Sequence, residues 1–145
     1  MAKKMDNQIV ELLGENLLID ELLRAGLEVA YPARDKGIDL IVYKDKGKFL
    51  SRPIQLKSAS DKSFSIDKKY KKIPKLLVVF VWGVGNYGKQ DFYSMTYGDI
   101  EKVCKKWWKK KRQVKKRYST SNPSKDLLNH IKPYRMSSEK WKKII

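Results

Sequence analysis

The chain holds few of the residues that build redox or soft-metal chemistry. It has one cysteine, Cys104, and one histidine, His130, in 145 residues. A lone cysteine forms no intramolecular disulfide, which fits an intracellular, cytoplasmic protein. A histidine without Cys or His companions offers no ligand set for structural zinc, so a surface or helix-cap role is expected for His130, and a core position for Cys104. Long apolar runs are also missing. No stretch approaches the ~18 residues of a membrane span, and the first residues, Met1-Ala2-Lys3-Lys4-Met5-Asp6, do not read as a signal peptide. The glycine-containing stretch from Gly83 to Lys89 lacks the G-K-[ST] ending and the following helix of a phosphate-binding loop. It reads as a connection between strands that touches substrate, if at all, through Lys89. Acidic residues are scarce in the last third. Residues 102–145 carry 16 Lys/Arg and only Asp126 and Glu139 as acids, whereas residues 1–101 carry 17 Lys/Arg and 14 Asp/Glu.

The formal charge of +17 is therefore concentrated at one end. A lysine-rich background would act on both halves alike, so the asymmetry points to a polyanion-binding surface. DNA is the expected partner, with RNA as the alternative. A membrane surface fits less well, because the apolar stripe of the basic segment is needed to cover a sheet. With 41% hydrophobic and 34% charged residues the composition is that of a globular protein. The length suits one domain over 1–145, with a core over about 7–100 and a basic helical extension over about 97–145.

Hydrophobic spacing predicts a helix over residues 7–25, on the stripe Ile9, Leu12, Leu13, Leu17, Leu18, Leu22 and Leu23, stopped by Gly26. Strands follow over 27–31, 37–43 and 48–57, with Pro53 suggesting an edge or a bulge. A short helix or turn is expected over 67–73, a buried central strand over 76–82 and a further strand over 91–96. A helix over about 97–117 has the apolar stripe Ile100, Val103, Cys104, Trp107 and Val114, continued by Tyr118. A turn-rich connection over 119–124 leads to short helices near 124–132 and 137–144, with Tyr134, Arg135, Met136 and Trp141 anchoring them to the domain. The order α-β-β-β-(α)-β-β-α-α implies a mixed β-sheet flanked by a helix on at least one face, an α/β or α+β fold.

Two of these strands carry the chemistry. Asp39 lies in Gly37-Ile38-Asp39-Leu40-Ile41-Val42-Tyr43, and Gln55 and Lys57 lie in Pro53-Ile54-Gln55-Leu56-Lys57. The intervening Lys44-Asp45-Lys46-Gly47-Lys48 suits a hairpin turn, which would bring Asp39 and Lys57 together. Gln55 and Lys57 are two residues apart and share one face of their strand. The competing arrangement puts both on the solvent face, with Ile54 and Leu56 inward. A carboxylate, an amide oxygen and the Leu56 carbonyl could hold a Mg²⁺ ion, which prefers oxygen ligands at about 2.1 Å and keeps several waters. A lysine beside the attacking water would lower its pKa or stabilise developing charge. Glu15 faces the same question from the first helix: surface charge or metal-site ligand. Glu11, one turn earlier, is its substitute.

The combination of Glu15, Gly37-Ile38-Asp39 and Gln55-Leu56-Lys57 resembles the PD-(D/E)xK nuclease superfamily in its Q-x-K variant, the group of restriction-endonuclease-like proteins and Holliday-junction resolvases. The resemblance covers roughly residues 7–100. It implies a restriction-endonuclease-like fold and a metal-dependent endonuclease acting on DNA, with Mg²⁺ as cofactor and Mn²⁺ as a substitute. Asp39 then matches the metal-binding aspartate, Lys57 the catalytic lysine and Glu15 the helix glutamate, while Gln55 stands where a second acid usually stands. That replacement removes a negative charge, so the alternative is a catalytically inactive nucleic-acid-binding module on the same fold. Many enzymes of this fold dimerise to cut both strands, so a homodimer is compatible with the resemblance. Substrate contacts are expected from the basic segment: Lys105, Lys106, Lys109, Lys110, Lys111, Arg112, Lys115, Lys116 and Arg117 on phosphates. Trp107 and Trp108 are read mainly as core packing, with Trp108 a candidate to stack on a base.

Overall fold

The computed structural model describes residues 5–107, 117–120 and 123–145. Asp6 starts the first helix by accepting the Gln8 N–H at 2.7 Å, capping α1 (Asn7–Arg24). Gly26, at φ +81°, turns the chain after it. The helix buries the row Val10, Gly14, Leu18 and Leu22. Ile9, Leu12 and Leu23 of the expected stripe are instead exposed, because the helix lies against the sheet along the row that contains Gly14. A Cβ at Gly14 would overlap the Ser58 side chain, so only glycine lets the two elements approach this closely.

An antiparallel meander follows: β1 (Glu28–Ala30), β2 (Leu40–Lys44) and β3 (Leu50–Ser58). The chain then forms β4 (Phe64–Asp67) and a 3-10 helix, Lys68–Lys72, before crossing to β5 (Leu77–Trp82), which runs parallel to β3. β6 (Asp91–Thr96) pairs antiparallel with β5 and leads into α2 (Tyr97–Trp107). β7 (Arg117–Thr120) returns to pair with β4, and α3 (Lys125–Ile131) and α4 (Ser138–Trp141) complete the chain. The main sheet is mixed, in the order β1-β2-β3-β5-β6, with β4 and β7 as a separate two-stranded sheet.

Every residue of β5 is buried, and its side chains alternate between two cores. Leu77, Val79 and Val81 join Leu18 and Leu22 of α1 and Trp141 of α4 on one face. Val78, Phe80 and Trp82 join Phe64 and Ile66 of β4, Ile100 and Cys104 of α2, and Leu127 of α3 on the other. The molecule is thus an α+β protein with helices on both faces of a mixed sheet. The anchoring expected at the C-terminal end is present: Trp141 is buried, Arg135 pairs with Asp91 at 2.6 Å, and the Met136 N–H donates to the Phe92 carbonyl at 2.7 Å. No helix among the described residues is long and apolar enough to cross a membrane.

Several expectations are corrected. Phe64–Asp67 forms a strand that the sequence reading did not include, and Lys68–Lys72 forms the 3-10 turn expected there. The helix expected over 97–117 is described to Trp107, and Arg117 lies on β7 rather than on that helix. Ser119 and Thr120 belong to the same strand, not to a turn-rich connection. The polar Ser-Thr run can pair there because β4 offers an open edge. The last helix is one turn, Ser138–Trp141, instead of 137–144. β3 is not an edge strand; Pro53 sits one residue before its pairing with β5 begins at Ile54 opposite Leu77, so it stands at the free end of that ladder.

Candidate functional site

Asp39 stands just before β2, and a turn places it there. Gly37 has φ +85°, and its N–H donates to the Asp35 carboxylate at 3.1 Å. A Cβ at Gly37 would come within 2.9 Å of the Tyr70 ring, so the turn is pressed against that ring. The Asp39 N–H donates to the Ile54 carbonyl at 2.8 Å although Leu40 stands opposite Ile54 in the register. Two residues of one strand therefore face one of the other, the arrangement of a β-bulge. It starts β2 at Leu40 rather than Gly37 and turns the Asp39 side chain toward β3, where its Oδ2 accepts the Leu56 N–H at 2.7 Å.

On β3, Ile54 and Leu56 face the α1 side and pack in that core. Gln55 and Lys57 face the other side, opposite Val78 and Phe80 of the second core. This corrects the solvent-face alternative: Gln55 is only 7% exposed. The Gln55 Nε2 donates to the Leu56 carbonyl at 3.4 Å, and its Oε1 has no hydrogen-bond partner among the described residues. Leaving that oxygen buried and unpaired costs about 1–3 kcal/mol, a penalty the fully buried neighbour Ile54 roughly offsets. The Gln55 amide thus borders the site with one buried, unsatisfied acceptor. The Lys57 Nζ lies 5.3 Å from the centroid of the Tyr70 ring, a cation–π contact.

Asp39, Gln55, Leu56 and Lys57 line one cavity of about 1010 Å³, which Glu11 and Glu15 of α1 also line. All four residues expected at the catalytic centre are thus brought together, with the Leu56 backbone and the substitute Glu11. Burial holds the Asp39 carboxyl above its ordinary value, against the Leu56 N–H, which favours the charged form. Asp35 pushes it further up, Lys57 pulls it down and Glu15 adds a small rise. Tyr31 hydrogen-bonds Glu15, and that bond, with burial, raises the Tyr31 phenol. Among the described residues no three His, Cys, Asp or Glu side chains converge as a metal site. The donor set here is of another kind: one half-buried carboxylate, an unpartnered amide oxygen and a glutamate lining the same cavity. It fits a hard divalent cation that keeps its own waters. A cation would also relieve the like-charge repulsion among Asp35, Asp39 and Glu15.

The basic residues divide. Lys105 and Lys106 are exposed in the last turn of α2, and Arg117 lies on β7. Lys109, Lys110, Lys111, Arg112, Lys115, Lys116 and Trp108 lie outside the described residues. Cys104 is fully buried, and burial drives its thiol pKa far up, as for an inert core residue. His130 lies 3.7 Å from Asp126 on α3.

Asp35, Tyr31, Tyr70 and the cavity-lining Ser63 and Ser65 were not singled out from sequence. Asp35 had a local signal, four residues before Asp39 in a glycine turn. Tyr70, in Lys68-Lys69-Tyr70-Lys71-Lys72, had none, because its burial depends on β4 folding over the sheet. Compared with protein-family models, with curated proteins and with solved structures, the chain matches none.

Proposed function

We propose that the protein is a metal-dependent endonuclease that hydrolyses phosphodiester bonds in DNA, on a restriction-endonuclease-like fold of the PD-(D/E)xK kind. The observation that carries this reading is the convergence of Asp39, Gln55, Lys57 and Glu15, from three separate elements, on one open cavity. The order helix, three-stranded meander, crossover and parallel strand agrees with it. The concentration of positive charge in residues 102–145 supplies affinity for a polyanion.

In this reading Asp39, the Gln55 amide oxygen and the Leu56 carbonyl would hold Mg²⁺ or Mn²⁺, with Glu15 of α1 lining the same cavity. Such an ion neutralises charge on the phosphoryl oxygens and lowers the pKa of a bound water. Asp39 supplies a full negative charge fixed by its bond to the Leu56 N–H. Lys57 supplies a positive charge beside the phosphate, where negative charge grows as the water oxygen bonds to phosphorus and the ester P–O bond breaks. The proton of the water leaves to solvent, and a proton from solvent neutralises the departing alkoxide.

A second reading has specific support. Gln55 is neutral, and among the described residues no three metal-ligating side chains of the His, Cys, Asp or Glu type converge. Both features suit a nucleic-acid-binding module without catalysis. Supercoiled plasmid incubated with the wild type, Asp39→Ala and Lys57→Ala, in Mg²⁺, Mn²⁺ or EDTA, separates the two. Metal-dependent nicking lost in both variants, by at least 100-fold for a group acting at the transition state, supports the endonuclease. Intact plasmid in every condition, with salt-sensitive DNA binding retained, supports the module.

A further inference from the structure

Beside the first cavity lies a second of about 470 Å³. It shares Asp35, Asp39 and Gln55 with the first and adds Lys36, Lys69 and Tyr70. The two spaces therefore meet at the proposed reacting point and form one track past it. The charges along the track differ from end to end. The first cavity has Glu11 and Glu15 on its wall, whereas the second has two lysines. Of the carboxylates they share, Asp35 is engaged by the Gly37 N–H and Asp39 by the Leu56 N–H.

Tyr70 holds one of these lysines in place. Its ring is 8% exposed and fixed in the core with Phe64 and Leu76. The Lys69 Nζ lies 5.3 Å from its centroid, as does the Lys57 Nζ. One rigid ring thus carries an ammonium group from each cavity. Two like charges beside one ring repel each other, and an anion lying along the track offsets that repulsion. Among the described residues neither Lys36 nor Lys69 is ion-paired, whereas Lys71 is tied to Glu101 at 3.2 Å. A phosphodiester strand that presents one phosphate to Lys57 must present a neighbouring one further along the track.

We infer that the second cavity is a subsite for the phosphates next to the scissile one, with Lys36 and Lys69 as their contacts. This deepens the endonuclease reading and rests on it. The ligand class is a nucleic-acid strand running through both cavities. Phosphate contacts fix the register of that strand without reading its bases.

The test is equilibrium binding of a fluorescently labelled DNA duplex to the full chain in EDTA, followed by anisotropy at several salt concentrations. Three proteins are compared: wild type, Lys36→Ala/Lys69→Ala and a control, Lys46→Ala/Lys48→Ala, altered in the β2–β3 turn at the far end of the hairpin. All four substitutions are at exposed positions, so folding is not at stake. Two lost phosphate contacts lower the slope of log K against log salt by about 1–2, and the control leaves it unchanged. An unchanged slope in Lys36→Ala/Lys69→Ala overturns the subsite, and so does an equal drop in the control. The plasmid assay is independent of this one. Intact plasmid with a selective fall in slope removes the endonuclease reading and leaves Lys36 and Lys69 as phosphate contacts without a scissile bond beside them; nicked plasmid with an unmoved slope removes the subsite alone.

Discussion

Asp39 sits among two other carboxylates and one ammonium group, and burial outweighs them all. Its folded-state pKa lies above the ordinary 3.8. Between 3.8 and that raised value the native protein binds more protons than the unfolded chain, so stability falls as pH rises through this window and stays reduced above it. Asp39→Asn keeps an acceptor for the Leu56 N–H and removes the charge. The variant is expected to melt higher than wild type at pH 7. The gain is a few °C at most, because the carboxylate is partly open to water, and it closes as pH drops below 3.8. Added Mg²⁺ should raise the melting temperature of the wild type and leave Asp39→Asn unmoved. A variant that melts lower than wild type at pH 7 would show that the charge is well satisfied where it lies. At this scale the sequence was legible where period and polarity sufficed. A separation of two put Gln55 and Lys57 on one face, and a hairpin turn brought Asp39 to them. That this face is covered, leaving Gln55 at 7% exposure, was not legible, since the cover is made by residues outside the hairpin.

The contact between α1 and β3 aims Glu15 into the cavity, and it depends on a missing side chain. Gly14→Ala would drive a methyl group into the Ser58 side chain, pushing the helix away from the strand at a cost of about 1–3 kcal/mol. Urea unfolding measures this, and Gly14→Ala/Ser58→Gly should recover most of the loss, since it vacates the space the methyl needs. A double variant no more stable than Gly14→Ala would place the cost in α1 itself. The elements that sequence revealed are those whose pattern is local: the capped α1, the meander, the wholly apolar β5 and the amphipathic start of α2. β4 and β7 were missed for a shared reason. Phe64-Ser65-Ile66-Asp67 is too short to stand alone, and its partner is Arg117-Tyr118-Ser119-Thr120, far along the chain. The second strand directly follows a lysine-rich run, so its start was absorbed into a helical reading.

Across the whole molecule, the last residues fasten the α1 face of the sheet. Trp141 is 1% exposed, packed edge-on to Phe92 with ring centroids 6.1 Å apart, and Arg52 donates to the Ile144 carbonyl at 3.1 Å. Trp141→Ala should cost about 3–5 kcal/mol, seen as one cooperative unfolding transition with a lowered midpoint. A variant that melts like wild type would show that the segment contributes nothing to the core. The other end of the basic region has a different consequence. The segment between Trp107 and Arg117 begins at a helix seated in the core by Ile100 and Cys104 and ends at a strand hydrogen-bonded to β4. Ser119 of that strand stands opposite Ser65, which lines the first cavity. In the proposed reading, the register of β7 on β4 ties the basic third of the chain to the wall of the cavity, so capture of a polyanion and its presentation to the site become a single encounter rather than two.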